Sequence, residues 1–490
     1  MVAYLANLEN VARVAPEVAS GIVRELADQR RNIKLIASEN YCSLAVQSTM
    51  ANLLTDKYAE GVPHARYYAG CDNVDAIEAA ACRLACELFG VEHAYVQPHS
   101  GADANLVAFW AVLTARVQAP ALERLARDPA AAAAARAEAG SEAEFVRRTL
   151  GRQRLLALDF ASGGHLTHGK PENVSGKMFE AFQYKVNPET GLLDYDQIER
   201  QALEVRPLIL LAGYSAYPRK IDFERMRAIA DKVNAVLMVD MAHFAGLVAG
   251  RVFEGPYNPA PYAHILTTTT HKTLRGPRGG LVLCTNEFKE HVDKGCPYVL
   301  GGPLPHVIAA KALCFTEALR PEFRAYAARV VENARALSAG CIERGLHVLS
   351  GGTDNHLVLL DLRPQGLTGF QGEAVLRRCG LTLNRNAIAS DPEKPMITSG
   401  LRLGTPAVST LGMGPSEMKK IAAILELVLK NTERGAIASG AQAGQPSKRE
   451  FVIAGHAERK AREMVAELLD QFPVYPELDL LYLQKSFGRA

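Results

Sequence analysis

Ala235-Val-Leu-Met-Val-Asp240 is an unbroken apolar run that ends in a carboxylate, with Met241, Ala242 and His243 directly behind it. A strand covered on both faces reads this way, because neither side meets water and no polar alternation is needed. Such strands belong to parallel sheets, and ligands bind beyond their C-terminal ends. Residues 207–212, the stretch from Leu155 and residues 93–97 read as further strands, with helix signal between them. That alternation predicts an α/β fold with a mostly parallel sheet. No GxGxxG or GxxxxGK[ST] fingerprint follows a strand, which disfavours a dinucleotide fold or an NTPase.

Working outward, a second strand leads into Leu266-Thr-Thr-Thr-Thr-His-Lys-Thr-Leu-Arg-Gly-Pro-Arg-Gly-Gly280. Lys272 has two readings here. It is a solvated loop lysine, or an amine able to attack an aldehyde because its surroundings lower its pKa. Asp240, 32 positions earlier, also has two: a helix cap, or the carboxylate partner of a pyridinium nitrogen. A strand-end aspartate and a strand-end lysine in this order suit the two ends of pyridoxal phosphate.

Other segments carry a family pattern. They are Leu35-Ile-Ala-Ser-Glu-Asn-Tyr41, Lys57-Tyr-Ala-Glu-Gly61, Gln97-Pro-His-Ser-Gly101, Gly163-Gly-His-Leu-Thr-His-Gly169, Ser350-Gly-Gly-Thr-Asp-Asn-His356 and residues 398–407. With residues 239–243 and 267–280, and in this order over residues 20–430, the chain resembles the serine hydroxymethyltransferases. The resemblance implies a fold-type-I PLP-dependent transferase. Its large domain would hold a mostly parallel seven-stranded sheet, joined to a smaller C-terminal α/β domain. It also implies reversible transfer of the serine hydroxymethyl group to tetrahydrofolate, giving glycine and 5,10-methylenetetrahydrofolate by way of an external aldimine and a quinonoid. A folate-independent pyridoxal-phosphate aldolase acting on β-hydroxy amino acids is the alternative, and a cofactor-holding interaction protein is a rival of another class.

The same resemblance assigns residues. Lys272 would hold pyridoxal 5'-phosphate as an imine, and Asp240 would keep its ring nitrogen protonated. Ser100, Gly101 and Ala102 would seat the phosphate, His165 would stack on the ring, Ser215 would meet the phenolic oxygen, and His243, His271 and Thr269 would line the site. Tyr58 and Gly302 would reach the cofactor phosphate of a neighbouring subunit. Ser38, Glu60, Tyr68 and Arg402 fall at substrate positions, with Glu60 moving a proton at the hydroxymethyl group. Phe160, Gly164, His165, Leu166 and Asn386 fall where folate is held. The chain departs from the family pattern at Ala102, where a second serine is usual, at Phe160, where leucine is usual, and at Tyr298-Val-Leu300, where glycines are usual.

Composition adds limits. The 490 residues allow two or more domains. A net charge of +2 offers no nucleic-acid surface, and no apolar run is long enough for a bilayer. Nine scattered cysteines fit reduced thiols in a cytoplasm. Cys82 and Cys86 share a helix face without a second pair, so no metal site is expected. Residues 1–55 are expected as a helical arm, with helix over 1–34. Residues 56–320 are expected as the cofactor domain, with an inserted helical excursion at 115–153. Residues 321–490 are expected as the small domain, with a mobile linker at 434–449 and an amphipathic helix over 450–470. Serine, glycine and tetrahydrofolate are the expected small-molecule partners, and a homodimer with shared sites the expected assembly.

Overall fold

The structure is a computed structural model that describes residues 2–437 and 443–488. The chain divides into two compact units, Met1–Tyr41 with Ala328–Ala490, and Cys42–Ala327. The boundaries lie at 41/42 and 327/328, where the sequence pointed to 55/56 and 320/321.

The larger unit is built on seven strands: β1 His93–Tyr95, β2 Arg154–Leu158, β3 Glu180–Tyr184, β4 Ile209–Gly213, β5 Val236–Asp240, β6 Ile265–Thr269 and β7 Gly280–Cys284. Their order across the sheet is β1-β7-β6-β5-β4-β2-β3. Only β7 runs against its neighbours; β2, β3, β4, β5 and β6 pair in parallel. The two central strands named from sequence, β4 and β5, are buried at every position. Leu155, Ile209, Val236 and Ile265 point to one face and pack with Val107 and Ala111 of the helix Gly101–Leu113. That covering helix explains why these strands lack alternation.

Register sets the strand ends that matter. Gly213 pairs with Asp240, and Asp240 with Thr267, so Asp240 and Thr269 close adjacent strands. Gly213 has φ +137, and a Cβ there would lie 2.1 Å from the Asp240 carbonyl oxygen. Only glycine lets the two backbones approach that closely.

The expected excursion at 115–153 is helical. The Gly101–Leu113 helix continues through a π-turn, Thr114–Gln118, into Ala119–Arg127, and Pro129–Ala139 and Glu142–Gly151 follow. Leu125, Ala132, Ala135 and Val146 make it a small apolar centre of its own.

The smaller unit holds the strands β8 His347–Val348, β9 Leu357–Asp361, β10 Asn384–Asn386 and β11 Gly400–Gly404, in the order β8-β9-β11-β10. Two expectations are refined here. Helix over 1–34 is in fact two helices, Val2–Val14 and Pro16–Gln29, parted at Ala15, because the residue before a proline is forced out of helical geometry. The expected linker at 434–449 begins and ends in strand: Thr432–Ala436 pairs antiparallel with Pro446–Ile453, and residues 438–442 lie outside the described residues. The last long helix accordingly begins at Gly455 and runs to Gln471. Among the described residues no helix is long and apolar enough to cross a membrane.

Candidate active site

At the end of β5 the Asp240 side chain is buried and held from three sides. Its Oδ2 accepts from the Asn105 amide at 2.9 Å and lies 3.2 Å from His168 Nε2, and its Oδ1 accepts from the Ala242 N–H at 3.0 Å. Burial alone would raise the carboxyl. The hydrogen bond and charge of His168, with His165 and Asn105 behind it, more than offset that and hold the group well below the usual carboxylate range. The supports are themselves fixed: Asn105 accepts from the Thr267 hydroxyl at 2.6 Å and donates to Thr167 Oγ1 at 2.7 Å, and Thr167 Oγ1 meets His165 Nδ1 at 2.7 Å. Asn105, Thr167, His168 and Thr267 escaped the sequence reading. The one available signal was the second histidine of the motif at 163–169.

Lys272 follows β6 by three residues and is half-buried. Two threonines bracket it. Thr269 Oγ1 donates to the Ala242 carbonyl at 3.3 Å, and Thr273 Oγ1 donates to the His243 carbonyl at 2.9 Å. The lysine segment is thereby tied to the two residues that follow Met241, in the turn Asp240 opens. His243 is buried in that turn. His271 carries a buried Nδ1 without a hydrogen-bond partner among the described residues. Burial, then the charges of Arg278 and Lys272, pull its pKa down to about 3, so the ring is neutral near pH 7.

Ser100 caps the Gly101–Leu113 helix. Its Oγ accepts from the Asp103 N–H at 3.1 Å and donates to Asp103 Oδ2 at 3.0 Å. The Gly101 and Ala102 amides have no intrahelical acceptor and remain as anion donors. A Cβ at Gly101 would lie 2.7 Å from Thr269 Cγ2, so this turn and the end of β6 share one space. The loops after β2 and β4 also meet: the Ser215 N–H donates to the Gly163 carbonyl at 2.7 Å, beside Gly164 and His165. Phe160 opens the short turn after β2 under the Lys170 ammonium, 4.9 Å from the ring centre, and Leu166 is exposed.

Glu60, Tyr58 and Tyr68 gather elsewhere in the same unit. Glu60 accepts from both phenols, at 3.3 and 3.4 Å, and the two rings meet edge to face. Gly302 lies beside them, since a Cβ on it would be 3.6 Å from the Tyr58 ring. Both tyrosines are exposed, and the cluster makes no hydrogen bond to Asp240, Asn105 or His168 among the described residues. In the smaller unit, Arg402 on β11 donates from Nε to Asn384 Oδ1 at 3.0 Å, and burial lowers its pKa to about 10. Asn386 is two residues along the same strand as Asn384. A Cβ at Gly404 would lie 2.4 Å from Ala37 Cα, which brings the segment of Ser38 against β11.

The serine hydroxymethyltransferase family model matches residues 11–127 and 115–425. The chain belongs to the serine hydroxymethyltransferase family. It is 58% identical to a serine hydroxymethyltransferase of Treponema pallidum, over all of this chain and 83% of that protein. It is 52% identical to those of Salinispora tropica and Mycolicibacterium smegmatis, each over 98% of this chain and 98% and 95% of theirs. Membership in the serine hydroxymethyltransferases implies pyridoxal phosphate and tetrahydrofolate in general terms. The groups present suit such a cofactor: an ionised buried carboxylate, a primary amine three residues past the neighbouring strand end, the Gly101 and Ala102 amides, and the orphaned His271 Nδ1.

Proposed function

We propose that the space bounded by Asp240, Lys272 and the Ser100 turn is where this chain holds pyridoxal phosphate, with Lys272 as the amine that binds it covalently. The activity is the family's: transfer of the serine hydroxymethyl group to tetrahydrofolate, giving glycine and 5,10-methylenetetrahydrofolate. The reading rests on one observation, the pair of threonine bonds that fasten both flanks of Lys272 to the turn behind Asp240.

Pyridoxal phosphate, when bound, supplies an aldehyde that takes up primary amines and a ring that accepts electrons. The residues do the rest. Asp240 holds a proton at the ring nitrogen, since its own carboxyl stays ionised. The first-turn amides after Ser100 bind the phosphate. His165 covers the ring, Ser215 meets its phenolic oxygen, and Thr269, His243 and the neutral His271 line the amine side. Arg402 takes the serine carboxylate in its guanidinium fork, which fixes the orientation of the bond to be broken; Ser38 is a second substrate-side residue. Glu60 moves a proton at the hydroxymethyl oxygen, with Tyr68 next to it. Phe160, Gly164, Leu166 and Asn386 are the folate side.

Glu60, Tyr58, Tyr68 and Gly302 form a group of their own with both tyrosines exposed, which supports a homodimer in which this patch completes the partner's site. The cytoplasm is the compartment this reading favours, as a setting for scattered thiols.

Two outcomes test the reading. Serine cleavage to glycine should slow sharply when tetrahydrofolate is left out; an unchanged rate would favour the aldolase alternative. Arg402→Lys should raise KM for serine roughly ten- to a hundredfold, the scale of a lost charge-assisted hydrogen bond, and leave the affinity for pyridoxal phosphate unchanged. Steady-state kinetics and a cofactor titration check both.

A further inference from the structure

Lys311 lies in the middle of the helix Pro305–Ala318 and is 1% exposed. A lysine this buried is rare, and it persists only where its donors are satisfied. Its Nζ donates to three carbonyl oxygens: Val96 at 2.6 Å, Pro98 at 2.9 Å and Gly280 at 2.9 Å. Three acceptors match the three N–H groups of an ammonium. Burial lowers the group to about 7, against the opposing pull of Glu78, Cys82 and Asp103.

The three carbonyls share one relation to the site. Val96 and Pro98 flank Gln97 at the head of the turn that ends in Ser100, and Gly280 opens β7 at the far end of the Lys272 loop. The Gly280 N–H also donates to the Pro98 carbonyl at 2.8 Å, so turn and loop are joined at this point. A trans peptide points its N–H opposite to its C=O. Holding the Pro98 carbonyl inward therefore aims the His99 N–H outward and fixes the path into the helix start. Gly279 makes room: a Cβ there would lie 2.4 Å from Lys311 Cε and 3.0 Å from Nζ.

We propose that Lys311 is a positioning residue for the phosphate seat, holding the Val96–Ser100 turn and the end of the Lys272 loop in the arrangement that binds a phosphorylated ligand. This inference rests on the proposed cofactor reading. Its signature is selectivity for the phosphate group, which a general loss of stability would not produce.

The experiment titrates cofactor-free protein with pyridoxal phosphate and with pyridoxal, which lacks the phosphate. Lys311→Met should lower the ratio of the two affinities at least about tenfold, the scale of one contact to a charged group, mainly by weakening pyridoxal phosphate. Gly279→Ala keeps the charge but displaces the ammonium, and should lower the ratio in the same direction; it carries the test if Lys311→Met does not fold. An unchanged ratio in a folded variant overturns the proposal. If the unaltered protein shows no preference for the phosphorylated form, the phosphate-seat reading itself fails, and the two failures are told apart.

Discussion

Lys272→Ala is expected to abolish the visible absorption of bound pyridoxal phosphate and to lower serine turnover by at least about a thousandfold, within the span seen for loss of a nucleophile or proton-transfer group. The path of the loop should survive the substitution. The loop is set by its backbone bonds, Thr270 N–H to Gly279, Gly276 N–H to Thr270 and Arg275 N–H to Lys272, and by the two flanking threonines. None of these uses the lysine side chain. A purified variant that kept its rate and its visible band would show that another group holds the cofactor.

Asp240→Asn keeps the shape of the side chain and removes its charge. Turnover should fall roughly 10²–10³-fold, the usual cost of deleting one fixed electrostatic partner in a closed site. The loss should be uniform with pH. A carboxyl whose folded pKa is depressed contributes stability that is fully present above the unfolded value, near ~3.9, and is lost only as pH falls toward the folded value. Because His168 and its neighbours overcome burial and keep Asp240 well below the normal range, it remains ionised throughout pH 5–9. An acid limb in the activity profile over that interval arises from another group. Parallel pH–rate profiles for the two proteins are the expected result; a variant whose deficit vanished at one end of the range would contradict the role given to this carboxylate.

The central strands were legible because burial on both faces leaves an unbroken run of apolar residues, as in Val236–Asp240 and Ile209–Gly213; Glu180–Tyr184 and Gly280–Cys284 were not read. The pairing of Thr432–Ala436 with Pro446–Ile453 was not. Its residues include Gly, Ala, Pro and Ser, and what makes it a hairpin is backbone pairing across the intervening residues, with the Ser447 and Glu450 carbonyls also accepting from Gln371. Asp240 and Lys272 could be singled out because strand ends are where such groups act. The bonds that tune Asp240 come from Asn105 and His168, on elements far away in sequence, and no local pattern announces them. Lys311 hid for the opposite reason: one lysine in a mostly apolar helix reads as a solvated edge until three carbonyls are found around it.

The single reversed strand β7 has one more effect. Because it returns directly beside β6, only ten residues separate Thr269 from Gly280, and both ends of that short connection are clasped by the sheet. Most of the conformational freedom of the Lys272 loop is lost when the polypeptide folds, before any small molecule arrives. Ligand association then carries little of that entropic burden, and the vacant protein offers its amine from a receptor already in shape.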